Sequence, residues 1–143
     1  MTTSNTSITL PRPLVNKILR HAQQNPDIEV CGLVGSSSDH QMDYYPIDNV
    51  ARDPHYRFLM DGPQQIGAIK QMRDKGQTLY AIVHSHPTAD AQPSKLDLSE
   101  NSYPDAFYII VSLNTKGVLE MRAFKQVENG MQEVELILES DEE

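Results

Sequence analysis

His84 and His86 stand one residue apart at the end of an apolar run, and Pro87 follows them at once. On a strand, residues i and i+2 point to one face, so both imidazoles would face the same way and Ser85 the other. Proline cannot donate to a sheet ladder, so the strand should stop at His86. Neutral imidazole is a good zinc ligand, and two nitrogens spaced in this way can reach one ion. Asp97 lies eleven residues after His86. Two histidines and one carboxylate would leave the fourth tetrahedral position open for water, the pattern of a catalytic rather than a structural zinc.

Plainer readings exist for the same residues. Ser94-Lys95-Leu96-Asp97 fits a helix capping box with Pro93 before it, opening a short helix towards Asn101. That reading is compatible with metal binding, because a capped turn would hold Asp97 in place. Glu29 sits in Ile28-Glu29-Val30-Cys31-Gly32-Leu33-Val34-Gly35. An acid there is costly to bury unpaired, so the residues alone favour the exposed start of a strand. Cys31 reads as a small buried residue, not a nucleophile. His21, His40 and His55 lack ligand spacing and read as surface residues. Tyr44, Tyr45, Tyr56 and Phe58 read as core or groove lining. Ser85 has no base in register with it, which disfavours a serine hydrolase.

These residues need a scaffold to hold them. Apolar residues at 14, 15, 18, 19 and 22 predict a helix over 13–25, with Pro13 in its first turn and Asn25-Pro26-Asp27 as its stop. Asp61 should cap a second helix over 61–75, with Pro63 in its first turn, Ile66, Ile69 and Met72 on one face, and Gly76 as its end. Strands are expected near 8–10, over 28–35, over 42–50 after a turn at 36–41, over 78–86, over 106–113, and as antiparallel closers over 118–124 and 133–138. The 78–86 and 106–113 runs carry little polarity, so both faces should be covered. Strands alternating with helices give an α/β class, or α+β if the sheet is mostly antiparallel.

The chain's 143 residues suit one domain, placed at 1–138, with an acidic tail at 139–143. Acids outnumber bases 20 to 12, a formal charge of −8 that falls to near −4 without that tail. Neither value suits nucleic acid, whose binders present a basic face. One cysteine excludes an internal disulfide and a Cys-based zinc finger, and suits a reducing cytoplasm. No apolar stretch reaches the roughly 20 residues of a membrane helix, and the first thirteen residues lack a signal-peptide core.

His84-Ser85-His86-Pro87, six residues, then Ser94-x-x-Asp97 resembles the metal-binding motif of the JAMM (JAB1/MPN/Mov34) metallopeptidases. That motif also has an upstream glutamate before an apolar Cys/Gly-Leu strand, and Glu29 to Gly35 has this form. The likeness extends over the first helix, the Asn49 region, Arg57-Phe58, the Asp61 helix entry and the Tyr108 to Ser112 strand. It implies a JAB1/MPN fold, a mixed curved sheet flanked by helices with cytidine-deaminase-like features. It implies one Zn2+ per chain held by His84, His86 and Asp97. Glu29 would be the general acid/base, which reverses the residue-level preference for an exposed position. Ser94 would help stabilise the oxyanion.

The compact size is similar to stand-alone bacterial and archaeal members, without length for the ubiquitin-binding insertions of eukaryotic deubiquitinases. The implied activity is hydrolysis of a peptide or isopeptide bond after the Gly-Gly tail of a ubiquitin-like or sulfur-carrier protein, in some relatives releasing cysteine. The alternative is a non-catalytic MPN-type binding module, against which the intact ligand set stands. Family members tied to DNA repair share the motif, but the negative charge disfavours that role. Nucleoside deaminases need His-x-Glu and Pro-Cys-x-x-Cys, which are absent. The expected partner is therefore a carrier protein, with no nucleic acid and no membrane, in a monomer or a dimer.

Overall fold

The computed structural model describes residues 7–94, 103, 105–114, 119–128 and 130–139. Its elements are β1 (Ser7–Pro11), α1 (Arg12–Gln24), β2 (Cys31–Ser37), β3 (Met42–Ile47), α2 (Gly62–Asp74), β4 (Gln77–His86), β5 (Phe107–Ser112), β6 (Glu120–Val127) and β7 (Gly130–Glu139). The strands form one sheet in the order β1-β7-β6-β5-β4-β2-β3. Pairs β1–β7 and β4–β5 are parallel and the other four are antiparallel. The sheet is thus mixed and mostly antiparallel, which favours the α+β form of the expectation. Glu139 ends β7, paired with Pro11. The remainder of the expected tail, 140–143, lies outside the described residues, as does the expected helix from Ser94 towards Asn101 beyond Ser94 itself.

Strand alternation divides the core in two. Ala81 and Val83 of β4, with Val34, Ile109 and Val111, meet Leu14, Val15, Ile18 and Ala22 of α1 on one face. Ile82 of β4, with Cys31, Leu33, Tyr108 and Ile110, meets Ala68 and Met72 of α2 on the other. Each large aliphatic side chain fully buried here contributes roughly 1.5–3 kcal/mol, so α1 is held mainly by its apolar stripe. α2 starts as expected, with the Asp61 side chain accepting the Gln64 amide at 3.0 Å. Gly76, at φ 72°, takes the left-handed turn that ends it.

Three expectations need correction. Ile66 is 72% exposed and shares no face with Met72. Successive steps of three residues drift by 60° around a helix, so positions 66 and 72 stand about 120° apart, whereas 68 and 72 nearly align. β2 begins at Cys31, not Ile28, and β3 ends at Ile47. Pro46 lies within β3, which is tolerated because β3 is an edge strand. His21 is half-buried, not a surface residue, with its Nδ1 2.7 Å from the Tyr44 hydroxyl.

Candidate metal centre

β4 lies inside the sheet, with β5 parallel on one side and β2 antiparallel on the other. Alternation sends His84 and His86 to the α2 face and Ser85 to the α1 face. Both histidines are buried, at 1% and 2% exposure. Cys31 pairs with His84 in the β2–β4 register. The Ser85 amide donates to the Val30 carbonyl at 3.0 Å, which continues that alignment past the end of β2 and sets Glu29 opposite His86. Glu29 is 5% exposed, so the exposed position favoured by its residue context is wrong. The composition of a short run cannot show that the 53–57 loop packs over it: the Glu29 amide donates to the Pro54 carbonyl at 2.7 Å.

One ligand atom each from Glu29, His84 and His86 lies within 4.8 Å of the others, and all three residues are buried. The two Nε2 atoms are 3.2 Å apart. Two nitrogens on one tetrahedral zinc, at about 2.0–2.1 Å each, would stand about 3.3–3.4 Å apart. His86 Nδ1 lies 2.7 Å from the Asp90 carbonyl, which can only accept. The His86 proton therefore sits on Nδ1 and its Nε2 lone pair faces His84. Metal-ligating histidines are oriented by this kind of outer hydrogen bond. A nearby carboxylate adds negative charge, which favours a cation held by the two nitrogens. The residues present fit a metal ion.

Side chains around the group fix its rings. Phe58 stacks on His84, with ring centroids 4.6 Å apart and planes 25° from parallel. Ser112 Oγ, fully buried at the end of β5, donates to the Ala89 carbonyl at 2.7 Å and ties down the loop that carries Asp90. The Leu113 amide donates to the His86 carbonyl at 3.0 Å. The Cys31 thiol is fully buried and donates to the Ile47 carbonyl at 3.4 Å. Burial, then Asp48 and Glu29, push its pKa up to about 12, so it is a packing residue as expected.

The family model of prokaryotic homologs of the JAB domain matches residues 11–125. The chain belongs to that family. A CysO-cysteine peptidase of Mycobacterium tuberculosis is 30% identical to this JAB-domain chain over 122 residues, covering 84% of the chain and 83% of the relative. A desampylase of Haloferax volcanii is 30% identical over 103 residues, covering 68% and 74%. The solution structure of a Desulfitobacterium hafniense protein matches with a TM-score of 0.81 at 31% identity, over 95% of the chain and 94% of that protein.

Of the five expected site residues in this JAB domain, the fold brings Glu29, His84 and His86 together. Ser94 is exposed at the end of a described segment, and Asp97 lies outside the described residues. Residue-level reading passed over Asn49 and Ser85, which hold the Glu29 segment through its backbone. Parity placed Ser85 away from the metal, but nothing in the spacing linked it to Glu29, 56 positions upstream. His55, expected at the surface, is half-buried with Nδ1 2.9 Å from the Asp27 carbonyl; His40 is exposed as expected. Tyr45 is buried and Tyr44 half-buried, but Tyr56 is 71% exposed and lines no core.

Proposed function

We propose that this chain is a zinc-dependent peptidase or isopeptidase. It hydrolyses the bond after the C-terminal Gly-Gly tail of a ubiquitin-like or sulfur-carrier protein, with cysteine as one leaving group. The observation that carries the reading is the buried group of Glu29, His84 and His86, with the two Nε2 atoms 3.2 Å apart. Family membership and relatives named CysO-cysteine peptidase and desampylase support the reaction class.

His84 and His86 would hold the zinc, with Asp97 as the third ligand. When bound, zinc polarises the scissile carbonyl and brings the pKa of a bound water towards about 7. Glu29 would accept the proton from the attacking water and deliver it to the leaving amine. Its buried setting keeps bulk water from competing for that proton. The Ser94 hydroxyl donates to the oxyanion of the tetrahedral intermediate. Residues 1–138 act as one domain with the acidic tail outside the chemistry. No described helix is long and apolar enough to cross a membrane. The single cysteine, a buried thiol, suits a reducing cytoplasm, the location this reading assigns.

The test begins with metal content by mass spectrometry on protein purified without chelator or metal-affinity resin. About one zinc per chain is expected, lost in His86→Ala. A carrier protein extended by one residue after Gly-Gly is then offered. Cleavage by wild type, and at least about 100-fold slower cleavage by Glu29→Ala, is the expected result. Zinc-loaded protein that cleaves no such extension, or Glu29→Ala cleaving at the wild-type rate, would sink the reading.

A further inference from the structure

Ser85 separates the two metal-facing histidines, is itself fully buried, and points to the opposite face of the sheet. Its hydroxyl oxygen accepts the Val30 amide at 2.9 Å. The same hydroxyl reaches the Ile28 carbonyl at 3.5 Å. Its backbone amide donates to the Val30 carbonyl at 3.0 Å. Ser85 thus holds the residues on both sides of Glu29, through its backbone and its side chain, just before β2 begins. From this geometry we infer that Ser85 is a positioning residue, whose hydroxyl fixes the backbone of the Glu29 segment and so aims the Glu29 carboxylate at the group formed with His84 and His86. The inference rests on the reading of Glu29 as the acid/base.

The chemistry gives a reason for a hydroxyl at this position. Val30 is buried, and its amide takes the Ser85 hydroxyl as its acceptor. A larger polar side chain would not fit a site with zero exposure. Alanine would remove the acceptor, and the segment carrying Glu29 would have to move or admit water. The histidines would be untouched, because they project from the other face of β4. Ser85 therefore bears on the base and not on the metal ligands, although it lies between them in sequence.

The test compares wild type, Ser85→Ala, Glu29→Ala and the double variant. Zinc per chain should stay the same in wild type and Ser85→Ala. On a carrier extension that wild type cleaves, Ser85→Ala should lower kcat about 10- to 100-fold with KM unchanged, the range of supporting-residue losses at metal sites. In the Glu29→Ala background, where residual cleavage is read over long incubations, the same change should cost less than twofold, because the two act through one group. Hydrogen exchange gives a readout without substrate: the Val30 amide should exchange about tenfold faster or more in Ser85→Ala, with the Leu33 amide unchanged. Loss of zinc in Ser85→Ala, an equal loss of rate in both backgrounds, or an unchanged Val30 amide would each overturn the inference. If zinc-loaded wild type cleaves no extension, the proposed function fails, while the exchange measurement still decides whether Ser85 holds the Glu29 segment. Should Ser85→Ala not fold, Ser85→Cys, a weak acceptor of similar size, takes its place in every arm.

Discussion

Replacing Asn49 by alanine should destabilise the protein more than the exposure of its surroundings suggests. Asn49 Nδ2 donates to the Glu29 carbonyl at 2.8 Å and to the Arg57 carbonyl at 2.9 Å. Its Oδ1 accepts the Ala51 and Leu59 amides, both at 3.0 Å. One side chain thereby ties the Glu29 segment to the 49–60 loop, beside the lone Asn49–Met60 bridge. A net hydrogen bond contributes about 0.5–1.5 kcal/mol, so these four, leaving aside a longer Nδ2 contact to the Pro54 carbonyl at 3.5 Å, set a bound near 6 kcal/mol. Ala51 is half-buried and Arg57 and Leu59 are exposed, so water can replace most of three of these bonds. The Glu29 carbonyl belongs to a buried residue and is the hardest partner to replace. A loss of about 2–3 kcal/mol is the resulting expectation, a large part of the 5–15 kcal/mol that holds a typical domain. At about 3 °C per kcal/mol for a chain of this size, the melting temperature should fall by about 8 °C. Urea unfolding with chelator present, so that metal binding does not enter, gives the value directly, with an unchanged m-value confirming that stability alone moved. Asn49→Asp keeps both acceptors but sets an anionic oxygen against two carbonyls, and should lose at least as much at pH 7. An alanine variant within 0.5 kcal/mol of wild type would refute the claim that Asn49 joins these segments.

Two glycines should respond to alanine with opposite signs. A Cβ at Gly32 would lie 2.5 Å from Tyr44 Cε1 and 2.6 Å from its hydroxyl, which is already engaged by His21, so urea unfolding should show a cost of about 1–3 kcal/mol. A Cβ at exposed Gly67, inside α2, meets nothing within 4 Å, and that variant should be more stable by about 0.5–1 kcal/mol. Burial lowers the His21 pKa from its ordinary 6.5, against a smaller opposing effect of Asp48. The unfolded chain then binds the proton more readily than the folded one, so this contribution is present above pH 6.5 and is lost as pH falls from 6.5 through the folded value. Denaturation at pH 7.5 and 5.5 with chelator present should show a smaller drop for His21→Gln than for wild type; equal drops would remove His21 as the cause.

Much of the scaffold could be read from residue patterns because its signals are local. Seven Thr78-to-His84 residues with little polarity, an Asp-Gly-Pro entry to α2 and a proline after His86 each mark an element through its own chemistry. The metal-facing pair was legible for the same reason, since strand parity relates residues two apart. Glu29 was not legible from its residues, because its burial depends on Pro54 and Asn49, 25 and 20 positions away. The family resemblance, not the composition, pointed to its place beside the histidines. Ile66 misled because apolar spacing of three resembles a stripe over one turn and drifts off it over two. His21 looked like a surface residue on a helix until β3 brought Tyr44 against it.

The arrangement also explains why so much hydrogen bonding surrounds one short segment. His84 and His86 come from one strand, so their separation is set by backbone geometry and needs little further support. Glu29 comes from a different segment, and its place relative to them depends on the register between β2 and β4. A slip of one residue would turn Glu29 to the α1 face and bury an acid in the aliphatic core. β2 has a register shift of its own between Val34 and Gly35, at the end of the strand far from the site. At the near end the alignment continues past β2 through the Ser85 amide on the Val30 carbonyl, joined by the Ser85 and Asn49 side chains and the Pro54 carbonyl. The irregularity is thus kept where it does not affect the carboxylate, and side-chain bonds reinforce the backbone alignment where the carboxylate must meet the histidines.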